Sequence, residues 1–147
     1  MALLAVGLAL VLSVFRVQAD NWIQSAQGVA VHGFDVVNYF ETNSAKRGSS
    51  EFAVEWQGAV WHFVNARHRA LFEQNPERYA PQYGGRCANG LSDGHVVGAN
   101  PRNWRIIDGR LYFFFSRWGR EQWASDVENQ RELAKSLWLD VQQSAAE

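Results

Sequence analysis

The chain has 147 residues, 47% of them hydrophobic, which suits one domain with one core. Its formal net charge is -1, from 14 basic and 15 acidic side chains, so nucleic acid as a partner has no electrostatic support. Aromatic residues make up 14%, with seven Trp, and each ring adds a large apolar area to a small core.

Ala2 to Phe15 is an almost unbroken apolar run ending at Arg16, with no Lys or Arg before it. Val17-Gln18-Ala19 then offers small residues at the positions a signal peptidase reads. The run is shorter than the roughly 20 residues that span a bilayer. The expectation is a signal peptide over residues 1–19, a mature domain over 20–147 and a periplasmic or secreted product that is not an integral membrane protein. A retained anchor is the alternative.

Val29-Ala30-Val31-His32 reads as a short strand ended by Gly33. Asp35 to Phe40 suits a short helix or an extended segment, and residues 41–50 read as loop. Phe52, Val54 and Trp56 alternate, Gln57-Gly58 supplies a turn, and Ala59–Val64 returns as the second strand of a hairpin. Asn65 can cap a helix through Ala66–Gln74, which Asn75-Pro76 stops; Glu77–Tyr79 adds a further turn. Residues 80–103 hold Gly84, Gly85, Gly90, Gly94 and Gly98 and read as a long ordered loop, a type that is usually functional when it is not disordered.

Asp108-Gly109 between Trp104–Ile107 and Arg110–Phe115 is the strongest hairpin signal in the chain. Ser116 can cap a helix over Arg117–Ala124, and Ser125-x-x-Glu128 has capping-box spacing. Leu133, Leu137 and Val141 at four-residue steps continue as an amphipathic helix. The fold expected is α+β: a small antiparallel β-sheet built from two hairpins, with helices packed against it.

Export makes the single cysteine informative, because exported proteins usually pair their thiols and Cys87 has no partner in the chain. A metal ligand, a reactive thiol, an intermolecular disulfide and a small buried hydrophobe are the readings open to it. Its neighbours are glycine-rich, which lets a backbone approach a ligand or aim N–H groups at one. His95 lies on the same loop, and a Cys facing a His can bind a soft metal such as Cu(I) or Zn. Asp35 can serve as an acceptor or ligand, or cap the turn it sits in. His62 and His68 are expected on solvent faces, and Tyr83 as a core ring or a donor to Cys87. There is no P-loop, HExxH, GxSxG or EF-hand spacing.

Gly33-Phe34-Asp35-Val36-Val37-Asn38-Tyr39-Phe40 resembles the opening motif of YHS-domain proteins, and Trp56–Phe63 resembles their hairpin. Phe72 to Ala88, which ends in Tyr83-Gly84-Gly85-Arg86-Cys87-Ala88, is similar to the signature of the exported branch of that family, and Ile107–Tyr112 to its later hairpin. The resemblance covers about residues 28–125 and implies a YHS-like fold and a small metal-binding module. It also places Asn38, Val64 and His68 where metal-binding relatives carry thiols, so the site of that type is expected to be lost. The thiol that recurs in the exported branch falls at Cys87, and the occurrence of selenocysteine in some members would favour redox chemistry there.

The function expected is an exported YHS-like module binding copper or zinc through Cys87, with His95 and Asp35 as further ligands and no organic cofactor. The partner would be a metal ion or a small thiol-reactive ligand. A non-catalytic interaction domain and a single-cysteine thiol redox protein are the alternatives, so the question of enzymatic activity stays open, as does the oligomeric state.

Overall fold

The structure, a computed structural model, describes residues 23–145. The expected signal segment, residues 1–19, lies outside them. The described chain is α+β, as the alternation of hairpins and helices implies.

Strands β1 (Ser25–Ala26) and β2 (Val29–Ala30) form a minimal hairpin. The strand expected over 29–32 stops at Ala30 because Val31, His32 and Gly33 all take positive φ, of 45, 57 and 76°. Helix α1 (Val36–Thr42) follows, so the segment left open between helix and strand is helical. The reason is local: the Asp35 carboxylate accepts from the Val37 and Asn38 N–H groups and caps the helix. Strands β3 (Ser49–Trp56) and β4 (Ala59–Phe63) form the first expected hairpin.

Helix α2 (Ala66–Gln74) is capped by Asn65, and α3 (Pro76–Tyr79) is the further turn after Asn75. The glycine-rich stretch is more structured than a loop. It contains a 3-10 turn (Gln82–Gly85), helix α4 (Ala88–Ser92) and the start of β5 (Asn100–Ile107). Strand β6 (Arg110–Phe114) completes the second hairpin, and α5 (Arg117–Ala124) and α6 (Val127–Ala145) close the chain.

The two hairpins do not share one antiparallel sheet. The first lies in a four-stranded sheet of order β1-β2-β4-β3, mixed because Val29 of β2 pairs in parallel with Val60 of β4. The second is a separate two-stranded sheet. Strand β6 explains the separation, for Leu111 to Phe114 are all buried. Phe113 meets Tyr39 of α1 (centroids 5.3 Å apart), whereas Tyr112 and Phe114 meet Trp123 of α5 (4.6 and 5.8 Å). Helices cover β6 on both faces, so its residues run apolar without alternation. In β4 the alternation is clean, with Ala59, Trp61 and Phe63 buried. Phe72 of α2 packs on Trp61 and Phe63 at 5.1 Å each and on Trp56 at 5.6 Å. Among the described residues no helix is long and apolar enough to cross a membrane.

Candidate functional site around Cys87

Tyr83, Gly84 and Gly85 take φ of 57, 60 and 83°, which turns the chain sharply before Arg86 and Cys87. Cys87 then runs alongside β6 through a parallel bridge to Phe113, and its N–H donates to the Val97 carbonyl at 3.1 Å. Its side chain caps α4. The sulfur accepts from the Gly90 N–H at 3.3 Å and from the Phe115 N–H at 3.2 Å. Both dipoles point their positive ends at Sγ and offset negative charge on it. The residue is 3% exposed.

The loop after α4 folds back on this thiol. The His95 N–H donates to the Gly90 carbonyl at 2.8 Å, while the Gly90 N–H goes to Cys87 Sγ. Gly90 must lack a side chain: a Cβ there would stand 2.7 Å from Val97 Cγ2 and 3.0 Å from the His95 carbonyl oxygen. The Cys87 sulfur and the His95 backbone N–H therefore both bond Gly90. The Cys87 side chain is buried and His95 is exposed. Burial lowers the Arg86 guanidinium from its usual value.

Asp35 does not join them. It is fully buried, and both its oxygens are occupied. Oδ1 accepts from the Val37 and Asn38 N–H groups, and Oδ2 from the Val64 N–H at 2.9 Å and from His68 Nδ1 at 2.7 Å. Among the described residues no group of three or more His, Cys, Asp and Glu is placed to hold a metal ion. Asn38, Val64 and His68 all meet this one carboxylate.

Two features of the region escaped the sequence reading. His68 is 4% exposed, not on a solvent face, because Asp35 holds it against the core. Its four-residue spacing from buried Phe72, which puts both on one face of α2, was the available signal. The second feature is an apolar rim. Phe115 and Trp118 are each 70% exposed, and Val96 and Val97 are exposed too. Phe115 and Val97 both bond Cys87 through their backbones, and Trp118 lies three residues beyond Phe115, on the first turn of α5.

No family model, curated protein or solved structure matches the chain.

Proposed function

We propose that this chain is an exported module of the YHS type that binds one soft metal ion through Cys87, with His95 of the same loop as the candidate second donor. The carrying observation is the sulfur's environment: two backbone N–H groups at 3.2 and 3.3 Å, the arrangement that suits an electron-rich, metal-bound thiolate. Cu(I) fits this better than Zn(II). A structural zinc site takes four N or S ligands, whereas a thiolate and an imidazole suit Cu(I), which accepts low coordination. Asp35 drops out as a ligand, since its four acceptor bonds are already made inside the protein.

The test is Cu(I) titration of the reduced protein in competition with a chromophoric chelator. Uptake of about one equivalent that Cys87→Ala abolishes and His95→Ala weakens is the expected result. Equal uptake by the wild type and Cys87→Ala would overturn it.

A second reading, an interaction domain, rests on the exposure of Phe115 and Trp118. It expects loss of partner capture in the Phe115→Ala, Trp118→Ala double variant with metal uptake intact. Fractionation of cells producing the full chain tests export, with the periplasm or medium as the expected location.

A further inference from the structure

A second cluster lies apart from the thiol, where the Val31–Gly33 turn meets the start of β3 and the start of β5. Two neighbouring cavities open there, of about 320 and about 240 Å³, and both are lined by His32 and Arg47. The first also takes in Gly33 and His62, the second Phe34, Asn100 and Arg102. Among the described residues that line them there is no aspartate or glutamate.

Two guanidinium groups share one aromatic ring. Arg47 Cζ stands 4.9 Å and Arg102 Cζ 5.1 Å from the centroid of Phe34, which is 3% exposed. Stacking on a ring engages a guanidinium's face and leaves its edge N–H groups free to donate. Arg47 spends one donor on the His32 carbonyl at 2.6 Å. Neither arginine forms an ion pair among the described residues, although Arg67, Arg69, Arg105, Arg120 and Arg131 all do. Two like charges on one ring in a chain of net charge -1 are a local accumulation that an anion would offset.

Gly33 lies on the wall of the larger cavity, between two of these groups. Gly33 has φ +76°, where a side chain is strained, and a Cβ there would stand 3.5 Å from His62 Nδ1 and 3.9 Å from Arg47 Nη1. An imidazole nitrogen and a guanidinium nitrogen thus both border Gly33, with Val29 Cγ1 beside them at 3.8 Å from the same point. Val31 and His32 are also left-handed, which for β-branched Val31 is costly, so the turn is held by its surroundings. His32 is fixed as well. Gln24 Oε1 accepts from the Ala99 N–H at 2.9 Å, so its amide nitrogen is the donor to His32 Nε2, also at 2.9 Å. The His32 ring proton then sits on Nδ1.

We propose that this groove binds a tetrahedral oxyanion of the phosphate or sulfate type, free or as the terminal group of a larger molecule. Arg47 and Arg102 supply charge-assisted donors from edges presented around Phe34, and His62 lines the inner wall beside Gly33. The site is independent of Cys87 and of any metal bound there.

The test is a titration of the full reduced chain, at constant ionic strength held with chloride, with inorganic phosphate, sulfate and phenyl phosphate. It is read by nuclear magnetic resonance at the arginine Nε–H and histidine ring signals. Saturable shifts at Arg47, Arg102 and His62 are expected, with affinity falling about tenfold in Arg47→Gln and in Arg102→Gln but not in the distant Arg110→Gln. Tighter binding of phenyl phosphate than of inorganic phosphate assigns the site to a terminal ester group; the reverse order assigns it to the free anion. If Arg47→Gln disturbs the turn, judged by circular dichroism, Arg102→Gln carries the comparison, since its side chain lies exposed on β5. Absence of saturation by about 50 mM of all three anions, or equal affinity in the wild type and both groove variants, would overturn the proposal.

Discussion

His68 Nδ1 and Asp35 Oδ2 lie 2.7 Å apart, joining α2 to the loop before α1 across 33 residues of sequence. The same carboxylate accepts from three backbone N–H groups, so one side chain caps α1, fixes the β4–α2 junction at Val64 and anchors a buried imidazole. Asp35→Ala takes the acceptor from the Val37 and Val64 N–H groups and from His68 Nδ1 in a buried site, while the Asn38 N–H keeps the Asp35 backbone carbonyl at 3.2 Å. It is expected to destabilise the fold by roughly 3–5 kcal/mol, seen as a lower urea midpoint. Asp35→Asn keeps an oxygen at the cap and should cost less. If Asp35 is structural, as these bonds indicate, folded Asp35→Asn takes up Cu(I) like the wild type; weaker uptake would restore it as a ligand.

This pair also marks where sequence reading ends. The hairpins were legible because their turns are local chemistry: Gln57-Gly58 and Asp108-Gly109 both take the two positive φ values that a tight hairpin turn needs. The Asn65 and Ser116 caps were legible for the same reason. The burial of His68 was not, because its partner is remote in sequence. Helix α4 was hidden by its cap, since a cysteine sulfur does there what Ser, Thr, Asp or Asn ordinarily does. The split into two sheets follows from the rings of α1 and α5 covering both faces of β6, which no local pattern shows. That Cys87 and His95 both bond Gly90 follows from their shared loop, whereas the return of Asp35 to its own helix is one of two options that its position allows.

Gly48 offers a test of how closely β3 and β4 approach. A Cβ there would lie 2.4 Å from the His62 carbonyl carbon and the Phe63 nitrogen, both backbone atoms that cannot step aside. Gly48→Ala is therefore expected to cost about 3 kcal/mol or more. Gly109 has φ +71° but open space around its Cβ position, so Gly109→Ala should cost only about 1–2 kcal/mol from the strained backbone. Denaturant unfolding of the two variants side by side checks the order, and equal losses would contradict the close approach.

Tyr83 predicts an alkaline limit to stability. Burial, with a smaller contribution from Tyr112, pushes its hydroxyl up from 10.0 to about 12, against the opposing pull of Arg131 and Arg110. Burial likewise raises Tyr39, whose hydroxyl donates to the Pro101 carbonyl at 2.8 Å. The folded state thus holds these protons more tightly than the unfolded state. The resulting stability is complete below about pH 10 and is lost as the pH rises toward 12. Tyrosinate absorbance should lag behind that of the denatured chain over this range and rise together with unfolding. Tyr83→Phe removes one of the two groups and should move the alkaline transition upward.

Trp118 and Trp123 sit five residues apart on α5 and make opposite predictions. Trp123 is fully buried between Tyr112 and Phe114, and its indole N–H donates to Ser92 Oγ at 2.9 Å. Trp123→Ala opens a cavity and removes the bond to Ser92, whose hydroxyl keeps its carbonyl partners at Ala88 and Gln130, so a loss of about 3–5 kcal/mol is expected from the cavity. Trp118 is 70% exposed, and Trp118→Ala should change stability by no more than about 0.5 kcal/mol. A ring that contributes so little to folding yet stands in water is expected to act through what it touches outside the chain. If Trp118→Ala instead lowered the thermal midpoint as much as Trp123→Ala, the ring would belong to the core, and the apolar rim would lose its claim to a partner.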